Sequence, residues 1–221
     1  MPDKTFGDLK AQVASDLRRS NLTTEIASAV LDAIRDHDTE RFWWNSTPLP
    51  YHLTISPGGG VDSGAGFPQG DCYPLTPQGA IYEFIMIDAV RANIGVWYTV
   101  KSTDWLTIED LYSTLSSGQP SWWALDADLL RIYPLPSQSY ELRIFGHYRL
   151  PPLVNDADSN EWTNQGFNLV RYTALKRLYS FPIRDADQVQ NAEQAGMRAM
   201  DYLRRKTDRR TRSGVMRAYY G

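Results

Sequence analysis

The spacing of apolar residues changes character twice along this chain, from threes and fours to twos and back again. Phe6, Leu9, Val13 and Leu17 recur at helical intervals near the N-terminus, followed by Ile26, Ala29, Val30, Ala33 and Ile34. Toward the other end Phe167, Val170, Ala174, Leu175 and Leu178 do the same, and then Ala186, Val189, Ala192, Met197, Met200 and Leu203. Between them the apolar residues alternate as in strands. Helices with one apolar face have to cover one another, so the two ends must meet and the β structure must be an insertion between them. The expected fold class is α+β: a helical bundle from the N- and C-terminal helices, an antiparallel β-meander insertion of five or six strands, and a basic C-terminal tail. In boundaries, residues 1–203 form a single domain, helical over 1–45 and 164–203 with the β-rich insertion over 46–155, and residues 204–221 form an Arg-rich docking tail.

Local signals fill in this outline. Thr5 followed by Asp8 has the spacing of a capping box, and Thr23 or Thr24 opens a second helix. Residues 46–79 hold six Pro, seven Gly and no Lys or Arg around the short strand candidate YHLTI, which predicts an exposed excursion over "SPGGGVDSGAGFPQGD". Further strands are expected in IYEFIMIDAV and VWYTVK, joined through RANIG, and in SWWALDADLLRIYPLP with a turn near Asp126 and Ala127. The strand YELRIFGHYRL places Tyr140, Leu142, Ile144 and Tyr148 on one face and Glu141, Arg143, Phe145, His147 and Arg149 on the other. A capping box from Thr107 to Asp110, with Gly118 beyond it, predicts a short helix against the sheet. "SFPI" should interrupt the helices at Pro182, and the last helix should begin near Asp185.

Two stretches point to interaction. "ERFWWNS", residues 40–46, reads as the end of the second helix, where neighbours point about 100° apart. Trp44 then falls on the core stripe, Phe42 beside Leu31, Arg35 and Asp38, and Trp43 beside Asp32, Asp36 and Glu40. The second stretch is the C-terminus. Residues 204–217 carry seven basic side chains, Arg204, Arg205, Lys206, Arg209, Arg210, Arg212 and Arg217, against the single acid Asp208. The net charge of the whole chain is -3, so the remainder, with 16 basic and 25 acidic residues, stands at -9.

Enzymatic signals are weak. The glycines of residues 58–66 have neither dinucleotide-loop spacing nor the Lys of a phosphate loop. His37 lies between Asp36 and Asp38 on a helix, where neighbours diverge, so a hydrogen-bonded core histidine is expected rather than a metal ligand. His52 and His147 sit in separate strands without ligand-spaced Cys or carboxylates, and Cys72 has no activating motif. No catalytic residue, metal or cofactor is expected. One cysteine excludes an internal disulfide, no apolar run approaches the ~20 residues of a bilayer span, and the N-terminus lacks a signal-peptide core. A soluble protein of the cell interior is expected.

Two helices ending in "ERFWWN", a Pro-rich region with "CYPLTP", the stretch "WALDADLLRIYPLP", the strand "YELRIFGHYRLPPL" and two terminal helices running into a charged tail resemble, in this order, the head-to-tail adaptor proteins of tailed bacteriophages, also called connector, head-completion or tail accessory proteins. The long "SPGGGVDSGAGFPQG" departs from that pattern. The resemblance implies a non-enzymatic virion protein of the head–tail neck, present in the host cytoplasm during assembly. It implies a homo-oligomeric ring, of twelve copies, between the portal of the filled head and the tail or nozzle proteins. Genomic DNA would pass through its centre without sequence-specific binding, and no membrane is involved. Phe42 and Trp43 would be subunit contacts. Arg204, Arg205, Lys206, Arg209, Arg210, Arg212 and Arg217, with Tyr219 and Tyr220 as apolar anchors, would dock on an acidic portal groove. The alternative is a nucleic-acid-binding protein using the same tail; a carbohydrate-active module built on Glu83, Glu141 or Glu161 lacks any motif pairing two of them.

Overall fold

The computed structural model of the chain describes residues 3–19, 21–46, 51–60, 71–75, 83–111, 116–126 and 129–218, with side chains to 210. Two compact units divide it, Met1–Trp44 with Leu150–Gly221, and Asn45–Arg149. The division falls at 44/45 and 149/150, whereas the sequence reading ended the insertion at 155 and counted one domain.

The first unit is helical. α1 (Phe6–Leu17) starts with the expected capping box: the Asp8 amide donates to Thr5 Oγ1 at 3.2 Å, and the Thr5 amide donates to the Asp8 carboxylate at 2.9 Å. α2 (Thr23–His37) has no side-chain cap, because Leu22 occupies the N-cap position. The one-turn α4 (Glu161–Asn164) is capped by Asn160. α5 (Phe167–Leu178) runs into a π-helical turn, Tyr179–Ile183, where the extended backbone of Phe181 and the ring of Pro182 break the helix. Asp185 then caps α6 (Ala186–Ala218) by accepting from the Gln188 amide at 3.1 Å. α6 has 33 residues, a rod of about 50 Å at 1.5 Å per residue. There is no boundary at 203: the basic stretch continues the helix that precedes it.

One core joins these elements, built from the apolar faces of α1, α2, α5 and α6 together with Phe42, Trp44, Leu153 and Trp162. Ion pairs tie its surface. Arg171 donates to both Asp16 oxygens at 2.5 and 2.7 Å, and Arg177 donates to Asp36 at 2.7 Å, linking α5 to α1 and α2. Lys10 of α1 pairs with Asp156.

The second unit is a sheet of seven strands. Its order is β1 (Tyr51–Ile55), β9 (Tyr140–Arg149), β3 (Glu83–Asn93), β4 (Trp97–Ser102), β6 (Trp122–Asp126), β7 (Leu129–Tyr133) and β2 (Cys72–Pro74). β5 (Ser117–Gly118) and β8 (Leu135–Pro136) pair separately. The expected meander is therefore corrected in two places. β9 lies between β1 and β3, and β4 runs parallel to β6. Parallel neighbours need a crossover, supplied here by α3 (Trp105–Leu111). α3 is capped by Asp104, which accepts from the Thr107 amide at 2.8 Å and from Thr107 Oγ1 at 2.6 Å; Thr107 is the partner of the cap, not the cap.

The β3–β4 hairpin turns at Ile94, Gly95 and Val96, centred two residues beyond the middle of RANIG. Gly95 takes φ +99° and donates its amide to Asn93 Oδ1 at 2.9 Å. β3 carries two register shifts against β9, after Phe84 and after Ile87. Gly146 fits at this point because a Cβ there would lie 2.3 Å from the Met86 carbonyl oxygen. The alternation read for β9 holds from Tyr140 to Ile144 and then fails: His147, on the mixed face, is buried, with its Nε2 2.9 Å from Asn45 Nδ2. Arg131 and Asp71 are both fully buried, with Nε donating to Oδ2 at 2.7 Å, and the guanidinium lies 4.8 Å from the Trp105 ring centre.

Candidate functional site

The aromatic run of residues 42–44 is not helical. α2 stops at His37, and Phe42, Trp43 and Trp44 lie in an irregular turn, which frees their side chains from helical angles. Phe42 is fully buried: it stacks on Trp44 at 4.5 Å between ring centres and meets Trp162 edge-on at 5.8 Å. Its own chain covers it, which leaves no exposed ring surface for the subunit contact that the resemblance implied for Phe42. Trp44 is in the core, where the sequence placed it.

Trp43 differs from both. It packs edge-on against Trp44 at 4.4 Å but remains half-buried, and its ring faces α6. Lys206 Nζ lies 4.7 Å from the ring centre and the Arg210 guanidinium 4.6 Å. Lys206 and Arg210 are four residues apart and share one helix face, so both meet the same indole. Arg204, a half-turn earlier, donates to Glu40 at 2.9 Å, and Lys206 donates to Gln165 Oε1 at 2.8 Å.

The structure thus joins the two features that the sequence presented separately. Trp43 and part of the basic stretch touch each other. Arg205 and Arg209 point to solvent. The side chains of Arg212 and Arg217, and Tyr219 and Tyr220 altogether, lie outside the described residues.

A second feature escaped the sequence reading. α2, α5, the π-helical turn and α6 enclose a groove of about 1320 Å³, wider than the roughly 300–1,000 Å³ typical of a small-molecule site. Its floor includes Ala29, Leu169 and Ala192, and at its lip Phe181 and Met197 are 69% and 58% exposed. Charged groups on its walls pair across it: Lys176 with Glu193 at 2.6 Å and Arg177 with Asp36 at 2.7 Å. The hydrogen bonds that Arg177 donates to Asp36 raise its pKa. "SFPI" was legible as a helix breaker, but nothing in the spacing said that the break would leave Phe181 outward.

The histidines are engaged in local hydrogen bonds. His37 Nε2 lies 3.0 Å from Thr173 Oγ1, and burial lowers its pKa. His52 Nδ1 lies 2.6 Å from Glu141 Oε1, a hydrogen bond that lowers the Glu141 pKa. Cys72 is buried in β2. Among the described residues no group of His, Cys, Asp or Glu is arranged to hold a metal, and no helix is long and apolar enough to cross a membrane.

The chain belongs to the SU10 adaptor protein family, whose sequence pattern matches residues 4–218. That family is one of phage head–tail adaptors, a structural class. No curated protein matches the chain.

Proposed function

We propose that this protein is a ring-forming adaptor of the virion neck, seated between the portal of the DNA-filled head and the tail or nozzle proteins, with the genome passing through its centre. The observation that carries this reading is the family match over 4–218, nearly the full chain. Structural support is of two kinds. Ring formation requires each copy to present surfaces to two neighbours, and the groove lip, with Phe181 and Met197 exposed, is apolar surface of the sort that a second copy covers. Trp43 keeps a subunit-contact role at its uncovered edge.

For the portal, α6 runs past Leu203, the last buried side chain described in it, and carries the basic residues outward as a helix. Arg205 and Arg209 are the described cations that a portal groove would meet first, while Arg204, Lys206 and Arg210 hold the base of the rod to Glu40, Gln165 and Trp43. Twelve copies, assembled in the host cytoplasm onto the portal, complete the proposal.

The test is sizing by light scattering of the protein alone and mixed with portal complexes, for the full-length chain and for Arg205→Glu/Arg209→Glu. The reading expects the full-length chain to join the portal in ring stoichiometry and the charge-reversed variant to join weakly. A full-length chain that ignores portals would sink it.

A further inference from the structure

We propose that the exposed face of the sheet around Arg91 and Arg143 is a contact surface for the phosphates of duplex DNA. The register supplies the argument. His52 of β1 is opposite Arg143 of β9, Arg143 is opposite Arg91 of β3, and Arg91 is opposite Thr99 of β4. Three nitrogen-bearing side chains therefore stand in one row across the sheet at about 4.8 Å intervals. One step along, Lys101 of β4 stands opposite Trp122 of β6, on the same face, since Thr99 and Lys101 are two residues apart.

Like charges placed directly opposite one another destabilise a sheet. Arg91 and Arg143 do this with little internal relief. Arg91 is exposed and makes no ion pair among the described residues, and the Arg143 guanidinium lies 3.8 Å from the centre of the Trp97 ring rather than on an acid. Glu141, the acid on this face, is hydrogen-bonded to His52 and is also drawn to Arg143, while Asp88 lies on the bulged part of β3. Arg91, Arg143 and Lys101 outnumber Glu141 on this face, and their positive excess is completed by an external anion.

The shape of the surface selects the anion. The cations Arg143, Arg91 and Lys101 span three strands, about 10 Å, so a single small anion would meet one of them at a time. A duplex carries one negative charge per ~1.7 Å and presents several phosphates over that width. Thr54 and Thr99 add neutral donors of the kind that contact phosphate oxygens. A protein partner would call for apolar anchors at the centre of the patch. Instead both indoles there lie against cations, Trp97 under Arg143 and Trp122 with Lys101 Nζ at 5.2 Å. Those capped rings also point to backbone contact rather than base stacking.

The inference rests on the reading that DNA passes this protein, and it places the contact on the sheet instead of the basic helix. The experiment is fluorescence anisotropy of a short mixed-sequence duplex with the full chain over a salt series. Three phosphate contacts predict a slope of about -2.7 in log K against log salt, or about 40-fold weaker binding for a fourfold rise in salt. Arg91→Gln and Lys101→Gln, both at exposed positions, should each reduce the slope by about 0.9. Arg205→Gln/Arg209→Gln should leave the sheet's share of the slope in place. Absence of binding overturns the inference, as does a slope unchanged by the sheet substitutions and lost with the helix ones. Equal binding of polyglutamate would overturn it in favour of an acidic protein partner. The adaptor reading fails separately, when the chain ignores portals whatever its affinity for DNA.

Discussion

Lys206 Nζ lies 4.7 Å from the centre of the Trp43 ring, on the side of α6 that also brings Arg210 to 4.6 Å. The base of the basic helix is thereby held by an aromatic surface, with the Arg204–Glu40 pair beside it. That pair is more than a third exposed on both sides and contributes little by itself. Trp43→Ala should therefore loosen α6 from about residue 204 onward while the unit stays folded, removing contacts of about 0.5–2 kcal/mol each. Hydrogen exchange resolved to peptides would show lost protection at 204–214 and none in α1 or α2. Unchanged protection would mean that the helix needs no such support.

Phe42 is the opposite case. It is enclosed by Trp44 and Trp162, so Phe42→Ala should cost about 3–5 kcal/mol, read as a lowered denaturant midpoint of the helical unit. A loss below 1 kcal/mol would contradict the packing described above.

Asp71→Ala leaves the Arg131 guanidinium buried without its ion-pair partner and should cost about 3–5 kcal/mol. Replacing both residues with apolar ones of similar volume should recover much of the loss. If the double variant proves no more stable than the single one, the cost lies in packing and not in the charge.

Gly146→Ala would bring a methyl group to 2.3 Å from the Met86 carbonyl oxygen, a backbone atom that no rotamer change can move. About 1–3 kcal/mol of destabilisation is expected in the sheet unit, measured by urea denaturation. A neutral substitution would show that the bulge yields.

His37 gives the helical unit a pH dependence. Burial holds its folded pKa below the ordinary 6.5; Asp36 and Glu40 raise it, and Arg204 and Arg177 lower it further. As pH falls the unfolded chain takes up the proton first. The His37 contribution is therefore complete above 6.5 and is lost as pH falls through the lowered folded value. His37→Gln, which retains a hydrogen-bonding group for Thr173, should flatten stability across that window. An identical pH profile in the variant would place the dependence elsewhere.

These contrasts also mark how far the sequence reached. Helix periodicity identified α1, α2, α5 and α6 and their shared core, because burial of one face repeats every turn and leaves a local signature. Asp8 three residues after Thr5 and Pro182 after Phe181 were equally local. The order of the sheet was not legible, since β9 enters between β1 and β3 through pairings some 50 to 90 residues apart that no local pattern records. The aromatic run was misread because a helix was extended seven residues too far. Once the backbone leaves helical angles, the wheel that separated Phe42 from Trp44 no longer applies. Trp43 meeting Lys206 is likewise a contact across more than 160 positions. The cation row was partly visible, since alternation put Arg143 on the mixed face of its strand, but only register could place Arg91 and His52 beside it.

The chain enters and leaves the sheet unit side by side: Ser46 forms a bridge with His147, and the Tyr148 amide donates to the Asn45 carbonyl at 2.9 Å. A segment whose two ends are already stapled together can be lifted out by cutting at one place and resealing the gap with a short link. In terms of chain connection the β unit is a cassette. It can be exchanged for another with equally close ends while the four helices keep their own core, so that one half of such a protein can follow a changing partner without the other half having to change.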